Sequence, residues 1–249
     1  MSELRQIHEA IGKKAQKTAD IKDAWTTDSY IERYKEKSYD STFKEALRST
    51  GARNITEFLK KKKAGGQGTN CLDLMGSAIY PNSANYIDSA IGVRIKESDT
   101  YLKSIANIVS PDSTKDIEAS FEHEKRRVIE GNMFSRKTVN DIKHVMEETD
   151  IPSFDLITCR PDGPFRTKAL EKMEIVDNDS LAAYYAVQLK RYASLLSDNG
   201  MMLVQVPQSE PLYPRLEELD QVFDSEDISC EIFNSDYPEN SKVLLVKKG

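Results

Sequence analysis

The chain has 249 residues, room for one large α/β domain with a helical extension or for two modest domains. Its 39% hydrophobic and 31% charged content suits a globular core, and no run approaches the roughly 20 apolar residues that a membrane-spanning helix needs. The formal net charge of −6 is uneven: residues 1–70 hold 15 Lys/Arg against 10 Asp/Glu, and residues 71–249 hold 20 against 31, which disfavours a broad nucleic-acid surface on the larger part.

The opening residues, Met1-Ser2-Glu3-Leu4-Arg5, lack the apolar stretch of a secretory signal, so a cytoplasmic place of action is expected. Leu4, Ile7, Ile11 and Ala15 recur at helical steps. Thr27 or Asp28 is a candidate cap for a second helix carrying Tyr30, Ile31 and Tyr34. A third is expected from Ser41 through Phe43 and Leu47 to Gly51, and a fourth begins at Asn54-Ile55. The fourth ends in Lys60-Lys61-Lys62-Lys63, the one basic block. There the lysines complement the negative end of the helix dipole; a phosphate or RNA contact is the alternative. Gly65-Gly66-Gln67-Gly68-Thr69-Asn70 is the clearest linker. It divides an expected helical extension or lid, residues 1–65, from an α/β domain, residues 70–249.

Beyond the linker, short apolar runs alternate with helical segments, the signature of a largely parallel sheet. The expected strands are Cys71–Met75, Ala90–Ile95, Arg127–Gly131, Phe154–Cys159 and Gly200–Val206. A long helix over residues 180–196, rich in Leu and Tyr, is expected to pack on that sheet. Ile228–Phe233 and Lys242–Val246 are separated by eight residues, mostly turn formers. A parallel crossover needs a dozen or more, so these two strands are expected to pair antiparallel. Cys71, Cys159, Cys230 and the three histidines are scattered, with no CxxC pair; no metal site is expected and the cysteines read as small residues of buried strands.

Leu72-Asp73-Leu74-Met75-Gly76-Ser77-Ala78, followed 21 residues after Asp73 by Gly92-Val93-Arg94, resembles the first two strand ends of the class I S-adenosylmethionine (SAM) methyltransferases. In that family the first reads V-L-D-L-G-x-G-x-G and the second G-V-D/E. The resemblance covers residues 70–249. It implies a Rossmann-like three-layer sandwich with a mostly parallel seven-stranded sheet ending in an antiparallel hairpin. It also implies SAM as cofactor and a small-molecule or protein acceptor. Asp73, Met75, Gly76, Ser77 and Ala78 would form the first cofactor loop. Arg94 stands where the family places a ribose-binding carboxylate, and Ile95 beside it would line the cofactor. An Arg offers donors only, so the readings of Arg94 stay open: another mode of cofactor binding, a phosphate contact, a lost ligand, or a plain ion pair with an acidic neighbour such as Glu97 or Asp99. Asn132 and Met133, in Glu130-Gly131-Asn132-Met133-Phe134, match an adenine-lining segment; a helix cap is the other reading of Asn132.

The fourth expected strand ends Cys159-Arg160-Pro161-Asp162-Gly163-Pro164-Phe165. Ligands of open α/β sheets bind outside the carboxyl ends of strands, so this loop is expected to border the site. It resembles the D/N-P-P-Y/F loop of amino-methyltransferases. Cys159 would then touch the cofactor, Arg160 a substrate carboxylate and Asp162 the methyl-accepting group; a plain Pro-Asp-Gly turn is the alternative. Phe165, with Tyr30 and Tyr34 of the extension, is an expected substrate contact. The competing function is a binding or scaffold protein that keeps the fold without catalysis. A third reading, a reductase-type NADP site at Arg94, is disfavoured by the terminal hairpin and by the missing G-x-G-x-x-G.

Overall fold

The computed structural model describes residues 39–66, 69–74, 100–105, 126–130, 133–134, 136–160, 177–223, 227–236 and 240–249. Among the described residues three short helices come first: α1 (Tyr39–Thr42), α2 (Lys44–Ser49) and α3 (Ile55–Ala64). Asn54 caps α3, its side chain accepting the Glu57 N–H at 2.8 Å. Glu57 is the acid of α3; the backbone N–H and side chain of Arg53, with Lys61, hold its pKa down to about 2. Ile55, Leu59 and Lys62 follow the i, i+4, i+7 rule and share the buried stripe. Lys61, Lys62 and Lys63 occupy the last turn, whose carbonyls are closed by the Gly65 N–H.

Seven strands follow: β1 (Asn70–Leu74), β2 (Thr100–Ile105), β3 (Arg126–Glu130), β4 (Phe154–Cys159), β5 (Leu196–Pro207), β6 (Ile228–Asn234) and β7 (Ser241–Lys248). They form one sheet in the order β3-β2-β1-β4-β5-β7-β6. Pairs from β3 to β5 are parallel, whereas β7 runs antiparallel to both β5 and β6. The result is a mixed, mostly parallel Rossmann-like α/β sheet with helical flanks. The strand paired with β1 is Thr100–Ile105, whereas the more apolar run at 90–95, chosen from the sequence, lies outside the described residues. Arg94 and Ile95 lie outside them as well.

Period-two alternation gives the sheet two apolar faces. Cys71, Leu156, Leu203 and Leu245 meet Phe43, Leu47 and Leu59 of the α1–α3 layer and its connections. Leu72, Ile157, Met202 and Leu244 meet the opposite layer. That layer contains α4 (Arg136–Glu148), α5 (Asn178–Ala193), a 3-10 turn (Tyr213–Glu218) and α6 (Leu219–Val222). Residues 39–64 are thus one slab of a three-layer core. Phe43, Leu47 and Leu59 have no exposed surface, and burying such side chains stabilises by about 1.5–3 kcal/mol each.

Helix α5 is buried along most of its length. Asp177 caps it by accepting the Ser180 N–H at 2.7 Å, and eleven of its residues, from Leu181 to Ala193, are buried. At the amino edge of the sheet, β5 begins with an irregularity between Phe154 and Leu156 on its partner. Asn199 there adopts φ 59°, and Gly200 lies so close to its neighbours that a Cβ would stand 2.7 Å from the Ser197 carbonyl.

Candidate functional site at the carboxyl ends of the strands

From β1 the chain winds outward to β2 and β3 on one side, and β4 and β5 continue on the other. The order reverses between β1 and β4. In open α/β sheets the crevice at such a switch point is where ligands bind. Two pairs of residues face each other there, Asp73 with Thr158 and Leu74 with Cys159.

Alternation sends Asp73 and Thr158 to the α1–α3 side. The Thr158 hydroxyl donates to Asp73 Oδ1 at 2.6 Å, and both residues are buried, 2% and 0% exposed. This short charge-assisted bond fixes the carboxylate within the switch point. Cys159 turns to the other side, its sulfur 3.7 Å from that of Met133. Burial, reinforced by the Asp73 carboxylate, pushes the Cys159 thiol well above its ordinary pKa, so the group is a neutral thiol rather than a nucleophile.

Arg160 leaves β4 on the Thr158 side and is buried. Its Nε donates to the Thr42 hydroxyl at 2.9 Å, and the Thr42 carbonyl accepts the Ser235 hydroxyl at 3.3 Å. Thr42 of α1 therefore joins the end of β4, through Arg160, to the segment after β6, through Ser235. Nearby in the order, Gln205 of β5 donates to Ser241 of β7 at 3.1 Å. The same face thus changes from apolar at mid-sheet to polar towards the carboxyl ends.

The segment after β3 is held from the opposite layer. Met133 and Phe134 are 0% and 1% exposed. Tyr192 donates its hydroxyl to the Met133 carbonyl at 2.8 Å, and Tyr184 donates to the Phe134 carbonyl. The Phe134 ring packs on Tyr185 with centroids 4.9 Å apart. Burial raises the Tyr184 pKa and that of Tyr192, so both phenols remain hydrogen-bond donors across the physiological range.

Of the residues singled out from the sequence, the structure brings Asp73, Cys159 and Arg160 to neighbouring strand ends and packs Met133 against Cys159. Met75, Gly76, Ser77, Ala78, Arg94, Ile95, Asn132, Asp162, Phe165, Tyr30 and Tyr34 lie outside the described residues. Sequence reasoning missed Thr158, Thr42, Tyr184 and Tyr192 as parts of this end of the sheet. Among the described residues no group of three or more His, Cys, Asp or Glu is placed to hold a metal ion. No described helix is long and apolar enough to cross a membrane.

A cavity of about 440 Å³ lies elsewhere, lined by residues that include Ser153, Asp155, Leu196, Ser197 and Lys248. These belong to the starts of β4 and β5 and to the end of antiparallel β7, the amino edge of the sheet. The cavity is thus at the opposite edge from the switch-point crevice. Below it is a feature the sequence concealed. Lys62 turns inward, its ammonium 4.0 Å from Asp155 Oδ1, with side chains 7% and 6% exposed. Asp155 also accepts the Asn70 N–H at 2.8 Å and the Ser197 hydroxyl at 2.9 Å. Burial lowers the Lys62 pKa below 10.5, and the Asp155 charge offsets part of that shift.

No protein-family model matches this chain. No curated protein matches it either. Among solved structures it is similar to a SAM-bound amino pentose methyltransferase from Micromonospora echinaspora. The identity is 8%, the match covers 91% of this chain and 99% of that one, and the TM-score is 0.48. It is also similar to a SAM-dependent methyltransferase from Clostridium acetobutylicum, at 12% identity, 89% and 98% coverage and TM-score 0.48. A candidate SAM-dependent methyltransferase from Streptococcus mutans aligns at 13% identity and TM-score 0.44, over 78% of this chain; this chain spans about half of that protein, 48%. Likenesses this distant assign no activity.

Proposed function

We propose that this protein is a SAM-dependent methyltransferase whose cofactor site lies at the carboxyl ends of β1 and β4. The observation that carries the reading is the sheet order, with antiparallel β7 inserted between β5 and β6. A mostly parallel sheet ending in an antiparallel pair is what the resemblance of residues 70–249 to class I methyltransferases implies. It sets an acidic residue, Asp73, at the switch point, where an acceptor-only carboxylate matches a cationic ligand in charge. SAM, when bound, would supply an electrophilic methyl group on a sulfonium. The chain's own contribution is orientation. Thr158 holds the Asp73 carboxylate, and the mouth is framed by the β3 exit on one side and Arg160 on the other. Gly76, Ser77 and Ala78 would form the first cofactor loop, with Met75, Asn132 and Cys159 beside it. Asp162 would orient the acceptor nitrogen or oxygen, and Phe165, Tyr30 and Tyr34 would enclose it. Transfer to a neutral nucleophile draws mainly on alignment, which a rigid strand-end scaffold provides.

A second reading, a binding protein on the same scaffold without transfer chemistry, has one observation in its favour. Asp73 and Arg160 are both buried, each in a hydrogen bond within the protein. A calorimetric titration of the full chain with SAM and with S-adenosylhomocysteine separates these readings. Micromolar binding that Gly76→Arg abolishes supports the cofactor site, and methyl incorporation into an acceptor then supports catalysis. A flat titration at millimolar ligand removes SAM from the proposal.

A further inference from the structure

We propose that Tyr184 and Tyr192 are positioning residues for the ligand mouth, forming a clamp that fixes the backbone leaving β3. The starting point is that the two hydroxyls take consecutive carbonyls, Phe134 and Met133. The tyrosines lie eight residues apart on α5, so their Cα atoms are separated by about 12 Å along the axis. Their rings converge from two turns of one helix on a single peptide segment. Phe134 adds a third hold, its ring 4.9 Å from that of Tyr185.

Packing alone does not call for phenols here. Phenylalanine would fill nearly the same volume, and a buried hydroxyl is costly unless it is bonded. Each hydroxyl has a matching carbonyl at the end of a chain segment that has just left the sheet. An exposed loop would leave those carbonyls to water. Here Met133 and Phe134 are drawn into the core and held by α5, one of the most deeply buried helices described. The sulfur of Met133, 3.7 Å from Cys159, extends the same hold to the end of β4. The clamp therefore spans the β3 and β4 sides of the switch point.

The ligand used in the test rests on the methyl-donor reading above; the clamp itself does not. Hydrogen exchange on the full chain, comparing wild type with Tyr184→Phe and Tyr192→Phe, tests it. Each variant is expected to speed exchange of amides 133–137 about tenfold, while amides of α5 and β4 stay within about twofold of wild type. In the same variants S-adenosylhomocysteine affinity, measured by calorimetry, is expected to fall about tenfold. Wild-type exchange at 133–137 would overturn the proposal. A uniform rise across the sheet would do so too, since it marks ordinary core loosening. So would a loosened segment with unchanged affinity in a chain that binds the ligand. If wild type binds neither SAM nor its product, the methyl-donor reading fails, and the exchange pattern alone decides the clamp.

Discussion

Replacing Asp155 with Asn isolates the buried Lys62 ammonium from its counter-charge. The two groups are 4.0 Å apart, with side chains almost fully covered. At an effective dielectric of 20 that separation corresponds to about 4 kcal/mol of attraction, in line with the roughly 3–5 kcal/mol lost when one member of a buried pair is removed. Lysine has an escape, because it can lose its proton. From an ordinary pKa of 10.5, neutralising it at pH 7 costs about 5 kcal/mol, and at pH 9 about 2 kcal/mol, which caps the penalty. The sign follows from the lowered pKa: the folded state carries the burden below the folded value and sheds it as pH rises towards 10.5. Urea denaturation of Asp155→Asn is therefore expected to show a loss of about 4 kcal/mol at pH 7 and about half of that at pH 9. Adding Lys62→Met should recover about 2 kcal/mol or more at pH 7, because the stranded charge is gone. A loss below about 1 kcal/mol, equal at both pH values, would mean that Lys62 reaches water and that the pair is not a buried one.

Three other perturbations probe separate parts of the fold. Gly200→Ala places a Cβ 2.7 Å from the Ser197 carbonyl and 2.9 Å from that of Phe154, so a thermal melt should register a destabilisation of about 1–3 kcal/mol; an unchanged midpoint would show that the start of β5 yields freely. Thr158→Val removes the hydroxyl from Asp73 and should cost about 1–3 kcal/mol by urea denaturation, with Thr158→Ser restoring most of it; equal losses in both would assign the effect to packing. In a thiol titration of the native protein at pH 8, half-buried Cys230 should react first while buried Cys71 and Cys159 react only on unfolding; early labelling of Cys159 would contradict its buried, raised-pKa state.

How far the sequence carried depends on which physical signal each element leaves. β4 is a mainly apolar run, interrupted by Asp155 and Thr158 and flanked by Pro152 and Pro161, and it emerges with the bounds read from the residues, Phe154–Cys159. The close spacing of Ile228–Asn234 and Ser241–Lys248 predicts an antiparallel pair, and β6 and β7 form one. β2 was hidden because Thr100-Tyr101-Leu102-Lys103-Ser104-Ile105 mixes polar with apolar residues, while Ala90–Ile95 offers a cleaner apolar run. Lys62 was concealed by its neighbours: four identical residues carry no contrast, although the phase from Ile55 and Leu59 already placed it inward. The Asp73–Thr158 bond joins residues 85 apart in the chain, and periodicity has no term for such a contact. The tyrosines of α5 were legible as an apolar stripe, but their hydroxyl partners depend on where β3 ends.

The position of β7 also dictates an order of events at the ribosome. β6 is synthesised before β7, yet the two strands that flank β7 in space, β5 and β6, make no ladder with each other. Until residues 241–248 emerge, the apolar stretch of β5 has an unpaired edge and β6 has no partner in the sheet. Such an edge is open to wrong strand pairing, and the longer the pause the greater the exposure. β7 is therefore the strand on which both neighbours wait, and the sheet closes on this side only when it docks.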